Sequence, residues 1–176
     1  IGISTFSLQD MYDFYINSSS DFAANGMGFT FTGIPIPGFY SNNDEIYQFP
    51  LDYNDRDSNY FRFSVSLPTV GTYIKSGHRI NEVDGWGEVI TPYDTFNFLR
   101  VKTTVFRIDS IKLDILPISF GLPTTEIEYK WMAKGIKMPV FEVKGTELLG
   151  NFTPASVRYR DKNRNIIDPL SPKADF

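Results

Sequence analysis

The chain contains no cysteine, a single histidine and no excess of positive charge. The absence of cysteine excludes disulfides, cysteine-bound zinc, iron–sulfur clusters and a thiol nucleophile. Lys and Arg number 17 against 21 Asp and Glu, a formal net charge of −4, so the basic excess typical of general nucleic-acid binders is missing. No apolar run approaches the roughly 20 residues that a spanning helix needs. We therefore expect neither a nucleic-acid partner nor a membrane span.

The residues needed for common catalytic sites are also scarce. Any histidine-dependent hydrolase would have to use His78, but no G-x-S-x-G or H-E-x-x-H motif accompanies it. We interpret His78 as a surface or half-buried residue beside a turn at Gly77. Gly85 and Gly87 lack the G-x-G-x-x-G spacing of a phosphate-binding loop, and we interpret them as a tight turn. We predict no cofactor. A non-catalytic role is favoured, and an enzymatic role stays open.

Aromatic residues are abundant, at 16% of the chain, which favours β-structure because aromatic side chains suit a pleated surface. The clearest strand pattern is YFRFSVSLP, in which Phe61, Phe63, Val65 and Leu67 alternate with polar residues. A bend or bulge is expected near residues 103–106 in a long later strand. Nearly everything from about residue 27 to 165 has the character of strand and turn.

One helix is predicted near the N-terminus, over about residues 7–17. Leu8, Met11, Tyr12 and Tyr15 fall at i, i+3, i+4 and i+7 and form one apolar stripe. Ser7 is the expected N-cap residue. We expect this helix to pack on a sheet, since its stripe needs a partner surface.

The whole pattern predicts a single, mainly β domain over residues 1–176. Turn signals at regular spacing indicate eight to ten antiparallel strands. One helix would cover only part of so large a sheet. A curved sheet, either a half-barrel or a sandwich-like arrangement, is therefore expected to fold around its own apolar face.

Two acidic patterns are candidate sites. Glu126 and Glu128 lie on one strand face at a separation that suits an inverting glycosidase, but the apolar residues opposite them suggest that both point to water. Asp55, Asp57 and Asn59 match the start of an EF-hand loop, although Tyr60 replaces the required glycine. We predict no metal site. A calcium site of another type at these three residues is the alternative to a polar turn.

A row of basic residues near the C-terminus is a candidate anion-binding site. Arg158, Arg160, Lys162 and Arg164 recur at every second position, so they share one face while the strand lasts. Such a row can bind an anionic glycan or a phosphate-bearing surface through charge-assisted hydrogen bonds. The alternative is the solvated face of an edge strand, where charge discourages unwanted pairing.

A longer pattern carries a family resemblance. It comprises DGWGEVITPYDTFNFLRVK at residues 84–102, YQFPLDYNDRDS at residues 47–58, and Glu128, Tyr129, Trp131, Gly135, Pro139 and Val140 downstream. Over about residues 12–145 it resembles exported proteins of Bacteroidota, with Asp94 where that pattern has glycine. The resemblance implies a secreted or cell-surface β-rich domain, of the kind that follows a signal peptide and precedes a type IX secretion sorting domain. The block is also loosely similar to half-barrel carriers of lipoproteins and lipids.

Three functions remain open on the sequence. The first is a non-catalytic exported or cell-surface domain, with a periplasmic alternative, acting in structure, adhesion, self-association or binding of other surface proteins. The second is a carrier or sensor of an apolar ligand in a half-barrel groove lined by Trp86, Phe96, Phe98 and Trp131. The third is a glycan-binding module or carbohydrate-active enzyme. Because the chain begins without Met or a signal pattern, we expect it to be processed or trimmed.

Overall fold

A computed structural model describes residues 8–115, 118–148 and 151–162. These residues form one antiparallel sheet of nine strands, which confirms the mainly β prediction. The strands are β1 Leu8–Asn17, β2 Asp21–Phe31, β3 Ile34–Gln48, β4 Arg56–Leu67, β5 Gly71–Ile90, β6 Thr95–Leu113, β7 Ser119–Ala133, β8 Phe141–Leu148 and β9 Asn151–Tyr159.

The strand order is strictly sequential, from β1 at one edge to β9 at the other, and the sheet is not closed. Each strand pairs with its neighbour in the chain, so tight turns suffice as connections. Between β2 and β3 the turn is formed by Thr32 (φ 46°) and Gly33 (φ 84°), because a two-residue hairpin of this type needs positive φ at both positions. Between β1 and β2 the backbone N–H of Ser18 donates to the carbonyl of Asp21 at 2.9 Å.

The predicted N-terminal helix is wrong. Residues 8–17 are strand β1, paired with β2 from Leu8 opposite Phe31 to Asn17 opposite Phe22, and the described residues contain no helix at all. The helical spacing of Leu8, Met11, Tyr12 and Tyr15 coincides with a strand that is irregular near its start. Asp10 there has φ 49° and lies in a shift of register. In the same described ranges, no helix suitable for crossing a bilayer is found.

The glycines predicted to form turns lie inside a strand instead. β5 runs unbroken for 20 residues through Gly77, Gly85 and Gly87. At Gly77 an added Cβ would lie 2.4 Å from the Phe61 ring, so glycine is needed there for close packing rather than for a turn. The expected bulge also lies elsewhere: pairing of β6 is continuous through residues 103–106, and the shift occurs in β5 between Val83 and Gly85.

Two apolar clusters form the core. The larger lies mainly on β2, β3 and β4, with Val105 from β6, and contains Phe61, Phe63 and Leu67, as the alternation in β4 predicts. The smaller is formed by Tyr47, Val83 and Val101. Between the two, the same side of the sheet carries buried polar residues. This polar region is where the candidate site lies.

Candidate functional site

A row of polar residues crosses five neighbouring strands. The pairing register places Asp57, Asn81, Thr103, Glu128 and Lys144 opposite one another from β4 to β8. Directly paired residues of antiparallel strands point to the same side of a sheet. We call this side, which also carries Phe61 and Phe63, the inner face.

Hydrogen bonds join the first members of the row. The Thr103 hydroxyl donates to Asn81 Oδ1 at 2.7 Å, and Asn81 Nδ2 donates to Asp57 Oδ1 at 2.9 Å and to the Ile46 carbonyl at 3.1 Å. Asn81 and Thr103 are almost fully buried. Burial raises the pKa of Asp57, and the Asn81 hydrogen bond opposes that rise. These contacts satisfy polar groups that would otherwise destabilise the fold.

A buried arginine lies next to this row. Arg79 on β5 donates from Nε and Nη2 to the two carboxylate oxygens of Asp44 on β3, at 2.7 and 2.9 Å. Such a two-point contact is the strong form of the Arg–carboxylate pair. Its third nitrogen, Nη1, is buried without a hydrogen-bond partner and lies 3.7 Å from Glu128 Oε2.

Glu128 is the centre of the ion pairs. Its two carboxylate oxygens contact Lys130 and Lys144 separately. Burial opposes its ionisation, but the two lysines outweigh burial and hold the pKa of Glu128 well below its usual range. The expectation that Glu128 points to water is therefore wrong, whereas Glu126 is partly exposed, with 36% of its side chain accessible. Glu128 is only 4% exposed, and Glu126 has a pKa raised by burial and by Glu128.

These charges border a cavity of about 420 Å³, which we call the charged cavity. Its lining includes side chains from all nine strands, among them Asp13 and Tyr15 on β1 and Arg158 on β9. The two edges of the sheet therefore face a common space. Consistent with this, burial and Asp13 raise the pKa of Tyr15, whereas the positive charges of Lys75 on β5 and Lys144 on β8 oppose the rise.

A second space, the apolar cavity, has a volume of about 350 Å³. An open apolar groove that includes Phe120 and Leu122 adjoins it and shares Tyr73 and Ile111 with it. The apolar cavity is lined by Met11, Met27, Phe29, Phe31, Leu67, Val70, Tyr73 and Ile111.

The four aromatic residues predicted to line a groove do not line a common one. Phe98 packs edge-on against Trp131 at 6.2 Å between ring centres, on the outer face, where Arg100 lies over the Trp131 ring. Phe96 stacks on Tyr93. Trp86 pairs with Leu99 and is 71% exposed. Other residues line the charged and apolar cavities.

The predicted basic row is also divided. Arg158 lines the charged cavity. Arg160 lies over the Tyr93 ring at 4.3 Å, and Lys162 is exposed. Arg164 lies outside the described residues. Among the described members of this row, only Arg158 joins the inner-face charges.

The calcium candidates and the histidine have other partners. Asp55 accepts a hydrogen bond from the backbone N–H of Asp52, and Asn59 Nδ2 donates to the Asn43 carbonyl at 2.9 Å. Within the described ranges, no three His, Asp or Glu side chains are grouped to hold a metal ion. His78 stacks on Tyr60 at 4.2 Å on the outer face.

Sequence reasoning missed Arg79, Asp44, Lys130 and Lys144. The available signal was the alternation of Glu126, Glu128 and Lys130 along β7, which marks one face of a strand. The apolar residues between them predict that the other face of β7 is the buried one. Ile127 is indeed buried at 3% exposure, and both sides of β7 are covered at this point.

Comparisons of the chain with protein-family models, with curated proteins and with solved structures find no match.

Proposed function

We propose that the chain is a non-catalytic binding domain, a curved half-barrel that carries or senses a small ligand with an apolar part. The observation that supports this proposal is the apolar cavity, about 350 Å³ in volume and lined by aliphatic, aromatic and methionine side chains. Ligand sites typically have volumes of about 300–1,000 Å³ and predominantly apolar walls.

The state of the inner carboxylates supports a non-catalytic role. Glu128 is held by Lys130 and Lys144, and Asp44 is held by Arg79. A glycosidase needs two carboxyl groups that flank a bound sugar and are free to act as acid, base or nucleophile. The outer aromatic rings meet edge-on, with interplanar angles of 63° and 82° around Trp131, and do not form the flat platform expected of a glycan-binding surface.

The test is binding of the fluorescent apolar probe N-phenyl-1-naphthylamine. We expect saturable binding to the purified chain at a stoichiometry of about one, since one cavity of this type accepts one small ligand. Ile111 lines the apolar cavity and is 38% exposed, so Ile111→Trp should obstruct it without disturbing the core. We expect the affinity to fall about tenfold, or about 1.4 kcal/mol.

The matched control is Ile108→Trp. Ile108 lies on the same strand, is 48% exposed and pairs with Ser76, which places it on the outer face. This variant should bind the probe like the original chain. Absence of saturable binding, or equal losses in the two variants, would contradict the proposal. If the probe binds as expected, native mass spectrometry of the protein from its source would identify the natural ligand.

A second candidate, an adhesive or assembly role at the cell surface, is supported by strand β1. This edge strand exposes Met11 (64%), Tyr12 (63%) and Phe14 (52%), and exposed edge strands favour pairing with another chain. Sedimentation velocity of the chain and of Tyr12→Lys tests this role, because lysine on an edge strand discourages pairing. A concentration-dependent oligomer that the substitution dissociates would support it, and a monomer at all concentrations would exclude self-association. Export remains part of the proposal and rests on the family resemblance.

A further inference from the structure

The charged cavity has a different charge balance from the chain that contains it. Seven basic and five acidic side chains line the cavity, whereas the chain as a whole has 17 basic and 21 acidic residues. A cleft lined by an excess of one sign raises the local concentration of the opposite ion. The cavity of this acidic protein therefore favours anions.

Three of the basic side chains surround one glycine on the inner face, and we call them the basic triad. Lys75 and Arg79 are the inner-face neighbours of Gly77 along β5, and Arg107 pairs with Gly77 from β6. Neighbouring inner positions along a strand lie about 7 Å apart. Gly77 contributes no side chain, and the Phe61 ring lies against it, so the triad surrounds an apolar floor.

The members of the triad retain donors that make no hydrogen bond to an acceptor among the described residues. Lys75 has no carboxylate within 4.0 Å among the described residues and lies 5.8 Å from the centre of the Tyr40 ring. Arg107 uses Nε for Asp109 at 2.7 Å. Arg79 Nη1 is buried without a hydrogen-bond partner and lies 3.7 Å from Glu128 Oε2, beyond hydrogen-bond distance. A buried donor without a partner destabilises a protein, so an acceptor that binds here would satisfy a donor that is otherwise unpaired.

Tyrosine side chains and several carboxylates also line the cavity. Tyr15 and Tyr40 line the cavity, and burial raises the pKa of each hydroxyl, so both remain protonated and able to donate near neutral pH. Glu126 also lines the cavity; Lys144 Nζ lies 3.9 Å from its carboxylate and also contacts Glu128 and Glu142.

We propose that the charged cavity binds an oxyanion, a carboxylate or phosphate group, through Lys75, Arg79 and Arg107. Arginine presents several donors in a planar fork that matches such groups, and lysine adds a point charge. This site is distinct from the apolar cavity, and it stands whether or not that cavity holds a ligand. The source of the oxyanion is either a free anion or the headgroup of an amphiphile.

The test is a titration with inorganic phosphate, monitored by ¹H–¹⁵N NMR. Ionic strength is held constant with chloride as the balancing anion. We expect saturable shifts centred on the amides of Gly77, Arg79 and Arg107. Lys75→Met removes an unpaired charge at a half-buried position and should weaken phosphate binding about tenfold, as expected for one charge-assisted contact. Lys102→Met makes the same change on the outer face, where Lys102 pairs with Glu82, and should leave the affinity unchanged within about twofold.

A second arm distinguishes the sources by comparing lauric acid with dodecanol, which differ mainly in the charged headgroup. A headgroup site predicts that lauric acid binds about tenfold more tightly than dodecanol, that Lys75→Met removes the difference, and that phosphate competes. A site for a free anion predicts phosphate binding that depends on Lys75, with no advantage of lauric acid over dodecanol.

The proposal is overturned if phosphate causes no saturable shifts and lauric acid has no Lys75-dependent advantage. It is also overturned if Lys75→Met and Lys102→Met weaken binding equally, because a nonspecific charge effect would then explain the result. If dodecanol binds and neither phosphate nor the carboxylate of lauric acid has an effect, the oxyanion site is overturned. The apolar cavity then remains supported as a ligand site.

Discussion

The inner face of the sheet joins two regions of opposite character. At one end, Phe63, Leu67 and Met27 form an apolar cluster beside the apolar cavity. In the middle, Arg79, Glu128 and their partners form a buried charged network. The first region is stable because apolar surface leaves water. The second is stable only because each charge has a partner, so the loss of one partner leaves another buried and uncompensated.

The largest effect on the free energy of unfolding is expected in the charged region. Glu128→Ala leaves Lys130 and Lys144 without their common carboxylate, and we expect a loss of about 3–5 kcal/mol in the free energy of unfolding. Urea unfolding followed by tryptophan fluorescence measures it. The control is Glu82→Ala, which breaks the exposed pair with Arg56 at 3.4 Å and should cost about 0–1 kcal/mol. Similar losses in both variants would show that the buried ion pairs of Glu128 stabilise the fold no more than an exposed pair does.

The matching change in the apolar region is Leu67→Ala. Leu67 is 6% exposed, so truncation removes buried methyl groups and enlarges the apolar cavity. We expect a loss of about 2–5 kcal/mol in the free energy of unfolding, measured by the urea midpoint at several salt concentrations. This loss should not change with salt. Leu122→Ala, at a site 67% exposed, is the control, and an equal loss there would refute the assignment of Leu67 to the core.

A smaller effect is expected at the hydrogen bond between Thr103 and Asn81, in the polar row next to the charged network. Thr103→Val keeps the shape of the side chain but leaves Asn81 Oδ1 without its donor. We expect a loss of about 1–3 kcal/mol, measured by thermal and urea unfolding. Thr104→Val, one residue along the same strand and on the outer face, should be close to neutral. If Thr103→Val is neutral as well, the Thr103–Asn81 bond does not contribute to stability.

The smallest effect is a pH dependence that only the charged region should have. The pKa of Glu128 is lowered on folding from an ordinary value of 4.5. Its stabilising contribution is therefore complete above that pH and is lost as the pH falls toward the folded pKa. We expect the stability difference between the original chain and Glu128→Gln to shrink by about 1 kcal/mol between about pH 6 and about pH 4, because the unfolded carboxyl takes up its proton first. Chemical unfolding at each pH measures it. If the difference between the original chain and Glu128→Gln does not change with pH, the lowered pKa is refuted. As a control, the difference between the original chain and Leu67→Ala should be the same at every pH.

The apolar region could be predicted from the sequence, whereas the charged region could not. Alternation along β4 identified Phe61, Phe63 and Leu67 as core, because a strand's own period decides which side chains share a face. Pairing of Arg79 with Asp44, 35 residues earlier, depends on strand order and register. No local pattern in a sequence specifies either of these.

The β1 error has a similar cause. Leu8, Met11, Tyr12 and Tyr15 match a helical stripe, but Tyr12, Phe14 and Ile16 also alternate as in a strand. Short apolar segments are ambiguous between the two periods, and pairing with β2 along Leu8–Asn17 decides the outcome. The glycines of β5 were misassigned because the reason for Gly77 is the Phe61 ring on another strand.

The sequential strand order also has a consequence for folding kinetics. Every strand pairs with the one that precedes it in the chain, so no long loop has to close before a hairpin can form. Sheets of this type have lower contact order than Greek-key arrangements of similar size, and lower contact order favours faster folding. As synthesis proceeds from the N-terminus, β2, β3 and β4 can assemble the apolar cluster before β7 and β8 supply Glu128, Lys130 and Lys144. Hydrophobic assembly would thus precede the pairing of the buried charges.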